Sequence, residues 1–168
     1  MTASEDSPTA TPAIAPRGPV PFPSAAWFRR LADLMNADRP RYEHLGYVDC
    51  VVQFTVLDGG PVGEPLRVQV TFEEFEAVDV REVGVEASAR ADFAIEASLA
   101  AWRAMIDSIA AGVGRPALDQ TLNHLSHLGT PFRVASDDPL RRDLYFRYNQ
   151  SLQEFLNASA GFKTRFPG

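Results

Sequence analysis

Large apolar residues recur every three or four positions in the first ordered stretch of the chain, SAAWFRRLADLMN, residues 24–36. Trp27 and Phe28 begin this stripe, and most positions between its members hold charged residues. Such spacing is typical of an amphipathic helix. Ser24 stands directly before it, and a serine hydroxyl at that position accepts a hydrogen bond from a free backbone N–H. The pattern predicts a helix over these residues, which Pro40 ends or redirects.

After Gly46 the period of the pattern drops to two. The stretch YVDCVVQFTVL, residues 47–57, alternates apolar and polar side chains, and so does LRVQVTFE, residues 66–73. Alternation of this kind indicates a strand with one buried face. The segment between the two stretches, DGGPVGEP, is rich in glycine and proline, which predicts an antiparallel hairpin with a long loop. Two further strands are predicted near residues 76–83 and 89–97.

The second half of the chain is predicted to be mainly helical. Ser98 can cap a helix that Gly112 ends, and leucines spaced along residues 118–128 predict a second one. Residues 131–136 read as a short edge strand, and residues 139–157 as a long closing helix. The order of elements predicts an α+β fold, in which helices cover a single, mainly antiparallel sheet.

Three segments are predicted along the 168 residues. Residues 1–23 are expected to be a disordered lead-in, because their Pro, Ala, Ser and Thr content buries too little apolar surface to offset chain entropy. Residues 24–158 form the folded domain, and residues 159–168 a flexible tail. The lead-in lacks the basic start of a secretory signal. A single cysteine, Cys50, cannot form an internal disulfide, so a cytoplasmic location is the default expectation.

The formal net charge of −6 is unevenly distributed. Residues 58–96 hold ten acidic and three basic side chains, and a surface of that sign repels phosphate backbones, which argues against a nucleic-acid partner. Residues 137–168 hold four acidic and five basic side chains. Attraction to an anionic membrane is one interpretation of that contrast, and ordinary solvated charge is the simpler one. No stretch approaches the roughly 18 consecutive apolar residues that an integral membrane span needs.

Motifs for catalysis or cofactor binding are missing from the sequence. It contains no Gly-rich phosphate loop, no zinc-type cluster of Cys and His, and no G-x-S-x-G elbow, so neither a cofactor nor a metal is expected. His124 and His127 lie one helical turn apart, opposite the leucines, and no third metal ligand is indicated. Their role stays open, and a solvated helix face is the simpler interpretation.

Asp92 and Glu96 alternate with apolar residues, which predicts a solvated sheet face.

Two parts of the sequence resemble the sterol carrier protein 2 (SCP2-like) family. ADFAIEAS followed by a Trp-containing helix, a leucine-rich segment and GTPFRVASDDPL are similar to the family's C-terminal half. SAAWFRRLADLMN and VVQFTV are similar to its opening helix and first strand. Ser136 stands where the family usually has a glycine. The likeness covers residues 23–156, and its anchors are Ala91, Asp92, Gly112, Gly129 and Asp137.

The resemblance implies a sheet of five strands covered by helices, with a hydrophobic tunnel for sterols, fatty acyl chains or similar lipids. On this hypothesis the protein binds or carries an apolar small molecule, and its partner is a hydrophobic small molecule or lipid. No catalytic residue is assigned. The expected ligand-binding residues are Phe72, Trp102, Met105, Ile106, Leu122, Leu125, Phe132, Tyr148 and Phe155.

Two alternatives remain open at the level of the sequence. In the first, a small enzyme uses the same pocket, with Asp79, His124, His127 or Tyr148 as proton donor or acceptor. The sequence leaves enzymatic activity open and favours a protein that is not an enzyme. In the second, the closing helix, residues 141–156, forms a homodimer face. The sequence does not identify the ligand.

Overall fold

The computed structural model describes residues 18–168. Residues 1–17, the larger part of the predicted lead-in, lie outside the described residues. The helices are α1 (Ala25–Asn36), α2 (Arg39–Glu43), α3 (Leu99–Ala111), α4 (Leu122–Ser126), α5 (Pro139–Arg142) and α6 (Leu144–Asn157). The strands are β1 (Val20–Pro21), β2 (Cys50–Val56), β3 (Leu66–Glu73), β4 (Glu76–Val83), β5 (Phe93–Ala97), β6 (Arg133–Ala135) and β7 (Thr164–Arg165).

Two predicted serine caps start the helices that lie over the sheet. Ser24 Oγ accepts a hydrogen bond from the backbone N–H of Trp27 at 3.1 Å, and α1 follows. Ser98 Oγ accepts one from the backbone N–H of Ala101 at 3.2 Å, at the start of α3. Each hydroxyl satisfies a backbone donor that has no partner within the helix. Both predicted helix starts are therefore confirmed.

The main sheet has five strands in the order β4, β3, β2, β5, β6. The predicted hairpin of β2 and β3 is present, with Cys50 opposite Phe72 and Val56 opposite Leu66. Strand β5 runs parallel to β2, whereas the other pairings in this sheet are antiparallel. The α+β fold with a mainly antiparallel sheet is confirmed. Among residues 18–168, no helix is both long and apolar enough to cross a membrane.

The connection from β4 to β5 crosses the outer face of the sheet and covers part of it. A 3-10 segment, Val85–Arg90, makes this crossing, and the side-chain amide of Gln69 donates a hydrogen bond to its Ala87 carbonyl at 2.8 Å. Gln53 and Thr55 are buried beneath it, with 3.1 Å between Gln53 Nε2 and Thr55 Oγ1. The polar positions of these strands therefore form a hydrogen-bonded layer rather than an open solvated face.

The predicted leucine helix and the predicted closing helix are each split. Thr121 caps α4 after a separate 3-10 turn, so Leu118 lies outside that helix and is exposed, contrary to the sequence pattern. At the closing helix, Asp138 caps α5, and a break at Asp143 precedes α6. Leu140, near the start of the predicted closing helix, lies on α5 and is exposed. At α4 the side chain of Thr121 caps the new start by accepting a hydrogen bond from the backbone N–H of His124, whereas Asp143 makes no such cap at the start of α6.

The two ends of the described chain pack together, unlike the predicted lead-in and tail. Strand β1 pairs in parallel with β7, with Val20 opposite Thr164. Phe22 is only 1% exposed, and its ring centroid lies 5.8 Å from that of Phe166. Residues 18–23 and 159–166 therefore contribute to the core, because Phe22, Phe162 and Phe166 bury apolar surface there.

Candidate functional site

A continuous apolar layer fills the space between the inner face of the sheet and helices α1, α3 and α6. Aromatic rings occupy its centre. The ring of Phe54 stacks on Phe28 with centroids 4.8 Å apart, and on Phe155 with centroids 6.0 Å apart. Phe155 also meets Phe72 edge to face at 5.0 Å. Such pairs add about 0.5–1.5 kcal/mol each beyond the burial of their area.

The expected ligand-binding residues all lie in the buried part of the molecule. None is more than 8% exposed, and they come from the sheet, α3, α4, α6 and the loop before β6. Burial of this kind fits the wall of a lipid site, and it equally fits an ordinary core. The nine residues are Phe72, Trp102, Met105, Ile106, Leu122, Leu125, Phe132, Tyr148 and Phe155.

Trp102 is held on both its polar and its apolar sides. Its indole N–H donates a hydrogen bond to the carbonyl of Thr55 at 3.0 Å. Its ring centroid lies 4.8 Å from Phe132, 6.1 Å from Phe54 and 6.0 Å from Phe22. These are contact distances for aromatic rings. An acyl chain therefore has no room between Trp102 and these three rings, and a ligand in the layer must displace side chains.

A surface cleft of about 510 Å³ borders the apolar layer between α3 and residues 159–166, and we call it the terminal cleft. Ile106, which is buried in the layer, also lines this cleft, together with Ala110 and Phe162. Ser159 lines it too, and within the described chain its buried hydroxyl has no hydrogen-bond partner. The contribution of residues 159–166 was not predicted from the sequence, which indicated a flexible tail there.

A second cleft, of about 680 Å³, lies beside α4 and reaches Leu125. His124 and His127 line it from exposed positions. Within residues 18–168, no group of three His, Cys, Asp or Glu side chains is arranged to hold a metal ion. The two imidazoles thus lie on a solvated surface, as the helical pattern predicted.

Asp79 and Tyr148 are the remaining candidate proton donors or acceptors of the enzyme alternative. Asp79 lies on β4, where its carboxylate forms an exposed ion pair with Arg81 at 2.7 Å. Tyr148 is buried on α6.

The dimer alternative concerns the same helix, whose apolar residues Leu152 and Phe155 are fully buried within their own chain. A homodimer through α6 stays a prediction. It would have to form through the exposed face of that helix, because the apolar face is already buried within the chain.

Three buried groups have pKa values above their ordinary range. Burial raises the pKa of the Tyr42 phenol, and the nearby Glu154 carboxylate raises it further. Burial also raises the pKa of the Cys50 thiol and of the Tyr145 phenol. Burial penalises the charged form of each group, so all three stay neutral well above neutral pH. Such groups are donors of hydrogen bonds rather than bases.

Comparisons with known proteins define the class of fold. No family model matches the chain, and no curated protein matches it. The crystal structure of sterol carrier protein 2 is similar, with a TM-score of 0.61 and 18% identity, over 83% of this chain and 97% of that one. The protein therefore has the SCP2-like α+β fold.

A second solved structure supports the same fold. It is the solution structure of a conserved hypothetical protein from Thermus thermophilus, described as a suspected sterol carrier protein. The TM-score is 0.60 and the identity 17%, over 84% of this chain and 90% of the other. The resemblance found in the sequence is thus confirmed at the level of the fold.

Proposed function

We propose that the protein binds an apolar small molecule of the lipid class, such as a sterol or a fatty acyl chain, between its sheet and its helices. The observation that carries this proposal is the continuous apolar layer beneath α1, α3 and α6. The layer belongs to a fold shared with a sterol carrier protein, and that neighbour's name supports a lipid as the ligand. The nine buried residues predicted from the sequence form the proposed wall.

The terminal cleft is the proposed route into the layer. Ile106 belongs to both the cleft and the layer, so movement of its side chain joins the two. Met105 precedes it on α3, and a methionine side chain has three rotatable bonds and repacks at low cost. A ligand that enters here displaces these aliphatic side chains and leaves the ring of Trp102 in place.

Polar groups at the terminal cleft suit the polar end of such a ligand. The Ser159 hydroxyl has no partner among the described residues, and burying an unpaired hydroxyl costs about 1–3 kcal/mol. A hydroxyl or carboxyl group of a lipid would satisfy it. Thr164 Oγ1 also lines the cleft, where it accepts a hydrogen bond from the Trp27 indole at 3.0 Å.

The expected affinity follows from the apolar area of the ligand. Burying about ten methylene groups contributes roughly 8 kcal/mol, and association costs about 4 kcal/mol or more. The remainder corresponds to a dissociation constant of about 1 mM, and longer acyl chains or sterols reach micromolar values. Weak and broad lipid binding is therefore expected. A cytoplasmic location stays a prediction.

Substitutions on α3 test both the function and the route. Ala110 lines the terminal cleft and is exposed, so Ala110→Trp should fill the cleft without disturbing the core. Ala104→Trp is the matched control, because Ala104 is exposed on the same helix and does not line this cleft. Binding is measured by titrating the fluorescent fatty acid cis-parinaric acid and the fluorescent sterol dehydroergosterol.

We expect the wild type and Ala104→Trp to bind at least one of the two probes, and Ala110→Trp to bind it at least about tenfold more weakly or slowly. If Ala110→Trp matches the control, the terminal cleft is not the route. If neither probe binds the wild type at saturating concentration, the proposed function is wrong.

A further inference from the structure

A separate cleft of about 490 Å³ lies where α4, β6 and α5 meet, and it has a basic lining. Arg133 and Arg142 line it together with His127, and none of its lining residues is acidic. The whole chain carries a net charge of −6, so a concave site of this sign is a local exception. It lies outside the proposed lipid site.

Neither arginine is neutralised by the described part of the chain. Among residues 18–168, Arg133 and Arg142 form no ion pair. Arg142 is held in place, because its Nε donates a hydrogen bond to the Val134 carbonyl at 3.1 Å. The nearby carboxylate of Asp138 is engaged as the cap of α5, where it accepts a hydrogen bond from the backbone N–H of Leu140 at 2.9 Å. The remaining guanidinium N–H groups are available to an external anion.

Two large, exposed apolar side chains lie beside these arginines. Leu128 lines the cleft and is 83% exposed. Phe146 is 60% exposed, and the guanidinium carbon of Arg142 lies 6.0 Å from the centre of its ring. We call the surface formed by Leu128, Arg133, Arg142 and Phe146 the basic-apolar patch. Exposed apolar residues beside unpaired cations are typical of a surface that meets another phase or partner.

We propose that the basic-apolar patch docks the protein on a bilayer that contains anionic phospholipids. Arg133 and Arg142 contact lipid phosphates, for which the guanidinium geometry is well suited. Leu128 and Phe146 enter the boundary between headgroups and acyl chains.

Charge complementarity favours an anionic bilayer as the partner of the patch. It also determines how the protein is oriented on that bilayer. Residues 58–83, which include β3 and β4, hold seven acidic and two basic side chains and lie toward the edge of the sheet opposite β6, so an anionic surface repels them while it attracts the patch. Glu96 on β5 lies opposite Arg133 in the register of β5 and β6, and it offsets part of that attraction. The repulsion turns the acidic strands away from the membrane. Docking on a membrane extends the proposed function, since it would place a lipid-binding protein where lipids are exchanged, but it does not depend on lipid entering the apolar layer.

The test is sedimentation of the full chain with vesicles of phosphatidylcholine, with and without phosphatidylglycerol. Arg133→Gln and Leu128→Ser are the informative variants, because both side chains are exposed and make no described side-chain hydrogen bond. Arg165→Gln removes an equal charge from β7, and Val62→Ser removes an exposed apolar residue from the β2–β3 loop. Neither control residue belongs to the patch.

We expect the wild type to bind the vesicles with phosphatidylglycerol more tightly than those without it. Arg133→Gln should lower the partition coefficient about fivefold, as expected for one basic side chain near an anionic surface. Leu128→Ser should lower it by a similar factor, and the two controls should change it less than twofold. Higher salt should weaken binding.

Three results would overturn the proposal. The first is equal binding to both kinds of vesicle, or equal loss in the patch variants and the controls. The second is a dimer in light scattering without vesicles that Leu128→Ser dissociates, since the patch then covers a second copy. The third is release from vesicles by glycerophosphate but not by sodium chloride of equal ionic strength, since the site then binds a free phosphate.

Discussion

The carboxylate of Asp92 lies 3.1 Å from the guanidinium Nε of Arg141, although 49 residues separate them. The other carboxylate oxygen accepts a hydrogen bond from the backbone N–H of Val51 at 2.7 Å. Arg141 also donates to the Ala91 carbonyl at 2.6 Å, and the hydroxyl of Ser136 donates to the Asp92 carbonyl at 2.7 Å. One aspartate thus joins β2, the start of β5 and α5, which are far apart in the sequence.

Removing this carboxylate should cost more stability than removing a surface one. The side chains of Asp92 and Arg141 are only 24% and 35% exposed, so we expect Asp92→Ala to lower the free energy of unfolding by about 2 kcal/mol. Asp79→Ala is the control, since the Asp79–Arg81 pair is shorter but more exposed, and it should cost less than about 1 kcal/mol. Urea unfolding measures both. Equal losses would mean that the Asp92 contacts are no better than a surface pair.

Phe22 tests whether the start of the described chain belongs to the core. Its ring lies 4.8 Å from Trp27 and 6.0 Å from Trp102, measured between centroids. Phe22→Ala should therefore lower the free energy of unfolding by about 3 kcal/mol or more. Leu118→Ala, at an exposed position, should change it by less than about 0.5 kcal/mol. Similar values for the two variants in thermal or urea unfolding would support the disordered lead-in that the composition predicts.

Alkaline pH should destabilise the protein through Tyr42. Its pKa is raised above the ordinary value of 10.0 by burial and by the charge of Glu154, so the folded state favours the neutral phenol. Its contribution to the free energy of unfolding is complete below about pH 10 and is lost as the pH rises further.

The experiment for Tyr42 compares urea unfolding at pH 8 and at pH 11. Tyr42→Phe should reduce the loss of stability between these two pH values. Tyr47→Phe, which changes an exposed ring, should not. An unchanged alkaline loss in Tyr42→Phe would show that this phenol is not responsible.

The thiol of Cys50 should be unreactive in the folded protein. Burial raises its pKa, and the charges of Asp92 and Asp49 raise it further, so the reactive thiolate is rare near pH 8. Ellman's reagent should therefore label the native protein far more slowly than the protein unfolded in urea, and labelling should follow the unfolding transition. Rapid native labelling would contradict the position of this side chain in the core.

Local patterns in the sequence predicted much of the fold. The hairpin of β2 and β3 follows from alternation around a Gly- and Pro-rich loop, and the starts of α1 and α3 follow from Ser24 and Ser98. In each case the signal lies within about ten residues, where propensity and capping chemistry act.

Contacts between distant parts of the chain could not be predicted from local sequence patterns. Alternation along the strand predicted that Asp92 faces solvent. Its pairing with Arg141 depends on how α5 packs beside β5, which alternation does not indicate. The same holds for the terminal cleft, where Ser159 and Phe162 come from an expected tail. The nine expected site residues are buried as a group, since apolar periodicity indicates burial. Periodicity does not distinguish a wall that yields to a ligand from a permanently packed core.

The location of a bound lipid tests the central claim most directly. A fatty acid with a diazirine on its acyl chain is bound to the full protein, crosslinked by light, and mapped by mass spectrometry of the digested chain. We predict saturable labelling on α3 at Met105 or Ile106, on the buried face of α6, or within residues 159–166, and competition by an unlabelled lipid. Labelling confined to exposed residues such as Leu128 and Phe146, or labelling that no lipid competes, would contradict a site between the sheet and the helices.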